Sequence, residues 1–199
     1  MNKRWIALAI AALAAGAAPS LYAQSSDQGD WIVRGRALCL RSDNKDSTGL
    51  DLSINNKLFP EVDFTYFFTP NFATELVLTY PQKQDLRSGS ATIGSFKHLP
   101  PTLTAQYHFT GMSWRPYVGA GLNYTMLSSV DLPAGVTVKK SSVGLAADIG
   151  ADIPVGGGWL VNFDIKKVQI KTDVSVNGSK IGTLKLDPWL YSVGFGKRF

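Results

Sequence analysis

The 199-residue sequence predicts an all-β fold, an eight-stranded antiparallel transmembrane β-barrel with short periplasmic turns and long extracellular loops. Three observations predict it. Apolar residues recur at every second position, rather than at the helical period of roughly 3.6, through nearly all of the chain beyond residue 23. The connections between these segments alternate strictly between long and short. The composition is 45% hydrophobic and 11% aromatic but only 18% charged. Soluble domains carry roughly 25% charged residues, and a disordered chain is far less apolar.

The chain opens on a segment that does not read as part of the barrel. Lys3 and Arg4 precede an apolar run from Trp5 to Ala18, and Ala23 stands before a polar stretch beginning at Gln24. This is the layout of a cleaved secretory signal peptide, too short to cross a bilayer as a helix. It divides the chain into a signal peptide, 1–23, and a barrel domain, 24–199. Loss of Lys3 and Arg4 lowers the formal net charge from +5 to about +3. The remaining basic residues are scattered, which implies no nucleic-acid partner.

The strands are placed at about 31–40, 57–68, 72–80, 102–109, 115–127, 141–153, 159–170 and 184–199. In 102–109, Leu103, Ala105, Tyr107 and Phe109 alternate with Thr102, Thr104, Gln106 and His108. In 141–153, Val143, Leu145, Ala147, Ile149, Ala151 and Ile153 share one face. The connections are about 16, 3, 21, 5, 13, 5 and 13 residues long, and the short ones carry turn residues such as Thr69-Pro70-Asn71 and Gly156-Gly157-Gly158. A soluble sandwich, or a lipocalin-type barrel, has no reason to gather every long loop at one end. An outer-membrane barrel does, and strands of about ten residues fit its crossing length.

Aromatics gather near the strand ends, at Trp31, Phe68, Phe72, Tyr80, Phe109, Tyr124, Trp159, Trp189 and Tyr191, as an interfacial girdle requires. The last strand ends on Phe199, with Tyr191, Val193 and Phe195 on the same face, a pattern suited to recognition by outer-membrane assembly machinery. A sheet in lipid must close, because an open edge leaves backbone groups unsatisfied. The implied location is the outer membrane of a Gram-negative bacterium, among its lipids and lipopolysaccharide. Cys39 reads as a small apolar strand residue.

Several motifs resemble one family. His98-Leu99-Pro100-Pro101-Thr102-Leu103, Arg115-Pro116-Tyr117-Val118-Gly119-Ala120-Gly121-Leu122-Asn123-Tyr124, Trp159-Leu160-Val161-Asn162, Leu186-Asp187-Pro188-Trp189 and the ending Gly196-Lys197-Arg198-Phe199 resemble the outer membrane protein W family from about Trp31 to Phe199. The resemblance implies an eight-stranded barrel with a hydrophobic channel. It also implies the activities found in that family: uptake of alkanes or other hydrophobic compounds by AlkL-like members, and service as colicin receptors by others. Lys197 departs from the pattern, standing where an aromatic often sits.

Side-chain parity sorts the strands into lipid and lumen sets. With Phe199 facing lipid, the lumen set holds Arg34, Arg36, Glu61, Asp63, Glu75, Arg115, Asp148, Asp152, Asp164 and Arg198, mostly in the periplasmic half. Of these, Arg34, Arg36, Glu75, Arg115, Asp148, Asp152 and Arg198 are the expected charged plug. The outer half holds Leu38, Leu40, Phe59, Val77, Val168, Ile170, Leu186 and Leu190, with Lys57 and Lys166 as polar exceptions. The lumen is therefore expected to be apolar at its mouth and ionic at its floor. Inward glycines at 119, 121, 144, 150, 194 and 196 make room for larger neighbours.

A charged floor is a poor route for an apolar molecule, and an apolar mouth a good one. Entry from outside with lateral release into the membrane follows as the expected function. Pro60, Pro100, Pro101 and Pro188, which lack a ladder donor, are the candidate lateral opening. The alternative is a structural barrel or a colicin or phage receptor whose long loops do the work, with Lys83, Asp85, Arg87, Lys97 and His98 of the longest loop solvated. An enzyme is not expected: His98 and His108 have hydroxyl neighbours such as Ser95 and Thr104, but no triad spacing. No cofactor is expected, and no metal-ligand spacing such as HxxxH, CxxC or a calcium loop occurs.

Overall fold

The computed structural model describes residues 30–199; the signal peptide expected at 1–23 lies outside the described residues. Fifteen strands follow one another: β1 (Trp31–Arg41), β2 (Lys45–Asp46), β3 (Leu52–Ile54), β4 (Lys57–Phe67), β5 (Phe72–Thr79), β6 (Gln82–Ser88), β7 (Ala91–Leu99), β8 (Thr102–His108), β9 (Arg115–Asp131), β10 (Val136–Val138), β11 (Ser141–Gly156), β12 (Trp159–Val168), β13 (Lys171–Val176), β14 (Ser179–Lys185) and β15 (Trp189–Arg198). Eight of them, β1, β4, β5, β8, β9, β11, β12 and β15, are antiparallel staves, each paired with the next in the chain. The ring closes where β15 pairs with β1, from Ile32 opposite Arg198 to Arg41 opposite Trp189. Two further bonds extend this seam: Trp31 N–H donates to the Phe199 carbonyl at 3.3 Å, and Phe199 N–H to the Trp31 carbonyl at 2.9 Å.

The expected alternation is realised on each stave. On β8, Thr102, Thr104, Gln106 and His108 are buried in the lumen while Leu103 and Tyr107 face outward. The outer wall exposes Leu58, Val62, Phe64, Leu122, Val143, Leu145, Ile149, Val193 and Phe195, a surface suited to lipid tails. At the short-turn end, aromatics touch: Trp31 and Tyr66 lie 4.9 Å apart with tilted rings, and Phe72 and Tyr107 5.0 Å apart edge to face. The β11–β12 turn runs through Gly156, Gly157 and Gly158, all with positive φ (101°, 60° and 79°), a path that only glycine follows without strain.

Two boundaries differ from expectation. The final strand expected at 184–199 is divided, because Asp187 adopts φ +29° and Pro188 follows it; residues 184 and 185 belong to β14 instead. The strand expected to reach residue 170 stops at Val168, and Ile170 belongs to the link into β13.

The long connections are themselves folded. The β6–β7 hairpin stands on the rim, with β7 pairing the upper part of β9 and β3 pairing β6. A second sheet, β10-β13-β14-β2, stands over the other side. Leu52, Ile54, Leu86, Phe96, Leu127, Val138, Val174 and Leu184 from these strands are buried in one cluster with Leu38, Leu40, Phe59, Val168 and Leu190 of the staves. The removal of this apolar surface from water holds the cap on the barrel.

Candidate ligand pathway

Inside the barrel the side chains form three layers. The lowest is a small apolar floor of Ile32, Phe67, Ala73 and Leu160. The His108 ring lies 4.7 Å from Phe67 and 4.8 Å from Tyr117, and the Arg198 guanidinium lies over the Phe67 ring at 4.4 Å. The sequence placed charges at the floor; the structure puts an apolar and aromatic layer beneath them. Of the expected plug residues, Arg115 and Arg198 are half-buried at this lower end.

Above the floor lies a dense ionic waist. Arg34 donates to Asp63 at 2.7 Å, to the Thr65 hydroxyl at 2.6 Å, and through two nitrogens to Asp152 at 3.0 and 2.6 Å. Arg36 pairs with Glu61 and, at 3.2 Å, with Asp63, and it donates to Asn162 at 3.1 Å. Lys166 reaches Glu75 at 2.9 Å, Asp148 at 3.3 Å and Asp164 at 3.5 Å. Gln106 bridges Glu75 and Asp148, and the Tyr117 hydroxyl donates to Asp164 at 3.0 Å. Seven staves thus meet on the barrel axis. The eighth, β15, contributes space: a Cβ on Gly194 would press on Arg36 and one on Gly196 would lie 2.7 Å from the Arg34 stem. These charges are almost wholly buried, and the network fills the cross-section.

Lys166 is a correction to the sequence reading, which set it among the apolar outer residues; it anchors the waist. The sequence set Gln106 on the polar face of 102–109 and Tyr117 and Asn162 within motifs, but none of them in the plug, because an inward polar residue on a barrel strand carries no mark of its partner.

The third layer is the mouth. All eight expected outer-lumen residues, Leu38, Leu40, Phe59, Val77, Val168, Ile170, Leu186 and Leu190, are buried there in the described structure. All but Leu186 line one narrow pocket resting on Glu61 and Lys166, whose unfilled centre is about the size of one water molecule. Lys57, the other polar exception, reaches outward to the Lys83 carbonyl at 2.6 Å.

The four prolines separate. Pro100 and Pro188 are buried and line the pocket on opposite walls. Pro101 lies beside Pro100, and its carbonyl accepts from the Tyr124 N–H at 3.0 Å. Pro60 points outward, opposite Ala37. The β5–β8 ladder stops at Val77 and Thr102, so the wall has no register pair above that point beside Pro100 and Pro101.

The longest loop also departs from expectation. His98 is not solvated but buried on the inner face of β7, its ring edge-on to Phe59 with centroids 6.4 Å apart. Burial pushes its pKa down to about 4, the Gln82 main chain opposing the shift and Lys57 adding to it. The short alternations Leu52/Ile54, Gln84/Leu86 and Val136/Val138 were the available signal for the cap.

A closed eight-stranded barrel with a lipid-facing apolar wall, short turns at one end and folded loops at the other is an outer-membrane protein. Comparison with known proteins gives its family. The OmpW family model matches residues 27–199. The chain is 37% identical over 195 residues to the outer-membrane protein y4mB of Sinorhizobium fredii, covering 92% of this chain and 85% of that one. It is 30% identical over 212 residues to outer membrane protein W of Vibrio cholerae, covering 96% and 97%. A dibenzothiophene metabolism operon protein of Pseudomonas aeruginosa, PahQ, is 31% identical over 159 residues, covering 75% and 74%. Among solved structures, the outer membrane protein OprG of Pseudomonas aeruginosa superposes with a TM-score of 0.75 at 28% identity, covering 89% of this chain and 99% of that one. The chain belongs to the OmpW family.

Proposed function

We propose that this barrel takes up small hydrophobic molecules through its apolar mouth and releases them sideways into the outer membrane. The observation that carries the reading is the stacking of an apolar pocket directly on a sealed ionic waist. An apolar molecule gains from entering the first, roughly 25 cal/mol per Å² buried. To pass the second it would have to part buried ion pairs, which is prohibitive. The interrupted β5–β8 ladder beside Pro100 and Pro101 supplies the way out. The operon named for the relative PahQ concerns an apolar aromatic compound, which agrees with the reading.

Val77→Asp and Leu190→Asp test it. Each should abolish uptake of a hydrophobic fluorescent probe into proteoliposomes while the barrel still assembles, as read by its heat-dependent mobility on a gel. Unchanged uptake would sink the pathway. The folded loop sheets favour a second reading, a colicin or phage receptor without net transport. It predicts that uptake never exceeds that of protein-free liposomes.

A further inference from the structure

The apolar cap contains polar groups that the uptake pathway does not use. Gln84 is fully buried, and neither its amide nitrogen nor its oxygen has a hydrogen-bond partner in the protein. His98 is 3% exposed, its ring beside the Gln82 main chain, with neither nitrogen in full hydrogen-bond geometry. On β6 and β7, Gln82 stands opposite His98 and Gln84 opposite Phe96, so Gln84 and His98 are diagonal neighbours on one inner face. Their surroundings, Leu86, Phe96 and Leu127, belong to the apolar cluster. The hydroxyl of Thr79, on the pocket wall, is unpaired as well. Buried polar groups are almost always hydrogen-bonded, and two such side chains side by side call for an occupant.

We propose that Gln84 and His98 form a recognition point for the single polar group of an otherwise apolar ligand, a neutral hydroxyl or carbonyl oxygen. The proposal rests on the uptake reading and narrows its substrate class from hydrocarbons to mono-oxygenated hydrocarbons. Phe59 joins the two regions, meeting the His98 ring on one side and lining the pocket on the other. A ligand with its tail along Leu38, Val77 and Leu190 would carry its oxygen past Phe59 to the hairpin. The chemistry suits a neutral group. Burial keeps the imidazole uncharged near neutral pH, so it offers one donor and one acceptor, and the Gln84 amide offers both as well. A hydroxyl can satisfy either.

The test uses the intact barrel in lipid nanodiscs with ¹⁵N-histidine. The sequence has two histidines, so each ring can be resolved. Added 1-octanol should move the His98 ring resonances and leave those of His108 in place, while octane at equal membrane concentration moves neither. Gln84→Leu should raise the octanol concentration needed by about three- to tenfold, the worth of one net hydrogen bond. That variant should melt no lower than the parent, since it removes two unpaired polar atoms. A His98 response that is absent, or equal for octane and octanol, overturns the proposal and leaves the hairpin holding water only. An unchanged octanol response in Gln84→Leu overturns the role of Gln84. Uptake into proteoliposomes is read separately. A His98 response to octanol without uptake refutes the transport reading and leaves the recognition point standing.

Discussion

Arg34 holds carboxylates on two well-separated staves, Asp63 on β4 and Asp152 on β11, at 2.7 and 2.6 Å. Removing it would strip both buried carboxylates of their shortest cation contact, Asp63 keeping Arg36 at 3.2 Å and Asp152 the Asn162 amide at 2.8 Å, a larger penalty than the pair itself is worth. Arg34→Met is expected to cost about 3–5 kcal/mol in urea unfolding of the lipid-reconstituted barrel. Adding Asp63→Asn and Asp152→Asn should recover most of that loss; no recovery would show that the arginine acts through packing rather than charge. Parity alone turned Arg34, Asp63 and Asp152 inward, because period two is local. Their meeting was not legible, since 118 residues separate Arg34 from Asp152. Nor was the height of Lys166, because staves in a barrel are tilted and staggered, and a count from the strand end does not give depth.

Among the elements, the staves were legible and the cap was not. A stave presents ten or so alternating positions to two opposite solvents, lipid and lumen, so its pattern is strong. The cap strands are short, and bulges between Leu86 and Arg87 and between Ser95 and Lys97 break their parity. This is why Ser95, Phe96 and His98 are all buried although no alternation predicts it. At the wall, Leu78 and Thr79 of β5 would stand opposite Pro101 and Pro100 if the ladder continued. Pro100→Val would restore the N–H donor that faces β5, Pro101 being turned to β9 through its carbonyl bond with Tyr124, and would let the β5–β8 pairing continue. Release of a hydrophobic probe into the bilayer is expected to slow several-fold, rates being compared at matched occupancy of the mouth because Pro100 also lines the pocket. Equal release rates in stopped-flow measurements would place the exit elsewhere, with the Pro188 wall the next to examine.

For the whole molecule, the cap and barrel respond differently to acid. The His98 ring, neutral when the cap is closed, titrates at about 4 rather than at its ordinary 6.5. Above about pH 6.5 the ring is neutral in both closed and open caps. Between about 6.5 and 4 the open cap binds a proton that the closed cap refuses, so closure weakens as pH falls through that window and changes no further below it. Hydrogen exchange in β6 and β7, corrected for intrinsic rate, should therefore show more frequent opening at pH 4.5 than at pH 7. His98→Phe should flatten the difference, and a profile unchanged by that substitution would assign the acid response to another group.

The waist also bears on the cell that carries this protein. A water-filled porin trades nutrient access against exposure, since every added copy is another hole for salts, bile acids and polar antibiotics. Here the cross-section is filled by Arg34, Arg36, Lys166 and the six carboxylates around them. A barrel so filled would add no aqueous hole for polar solutes with each copy, however many were made.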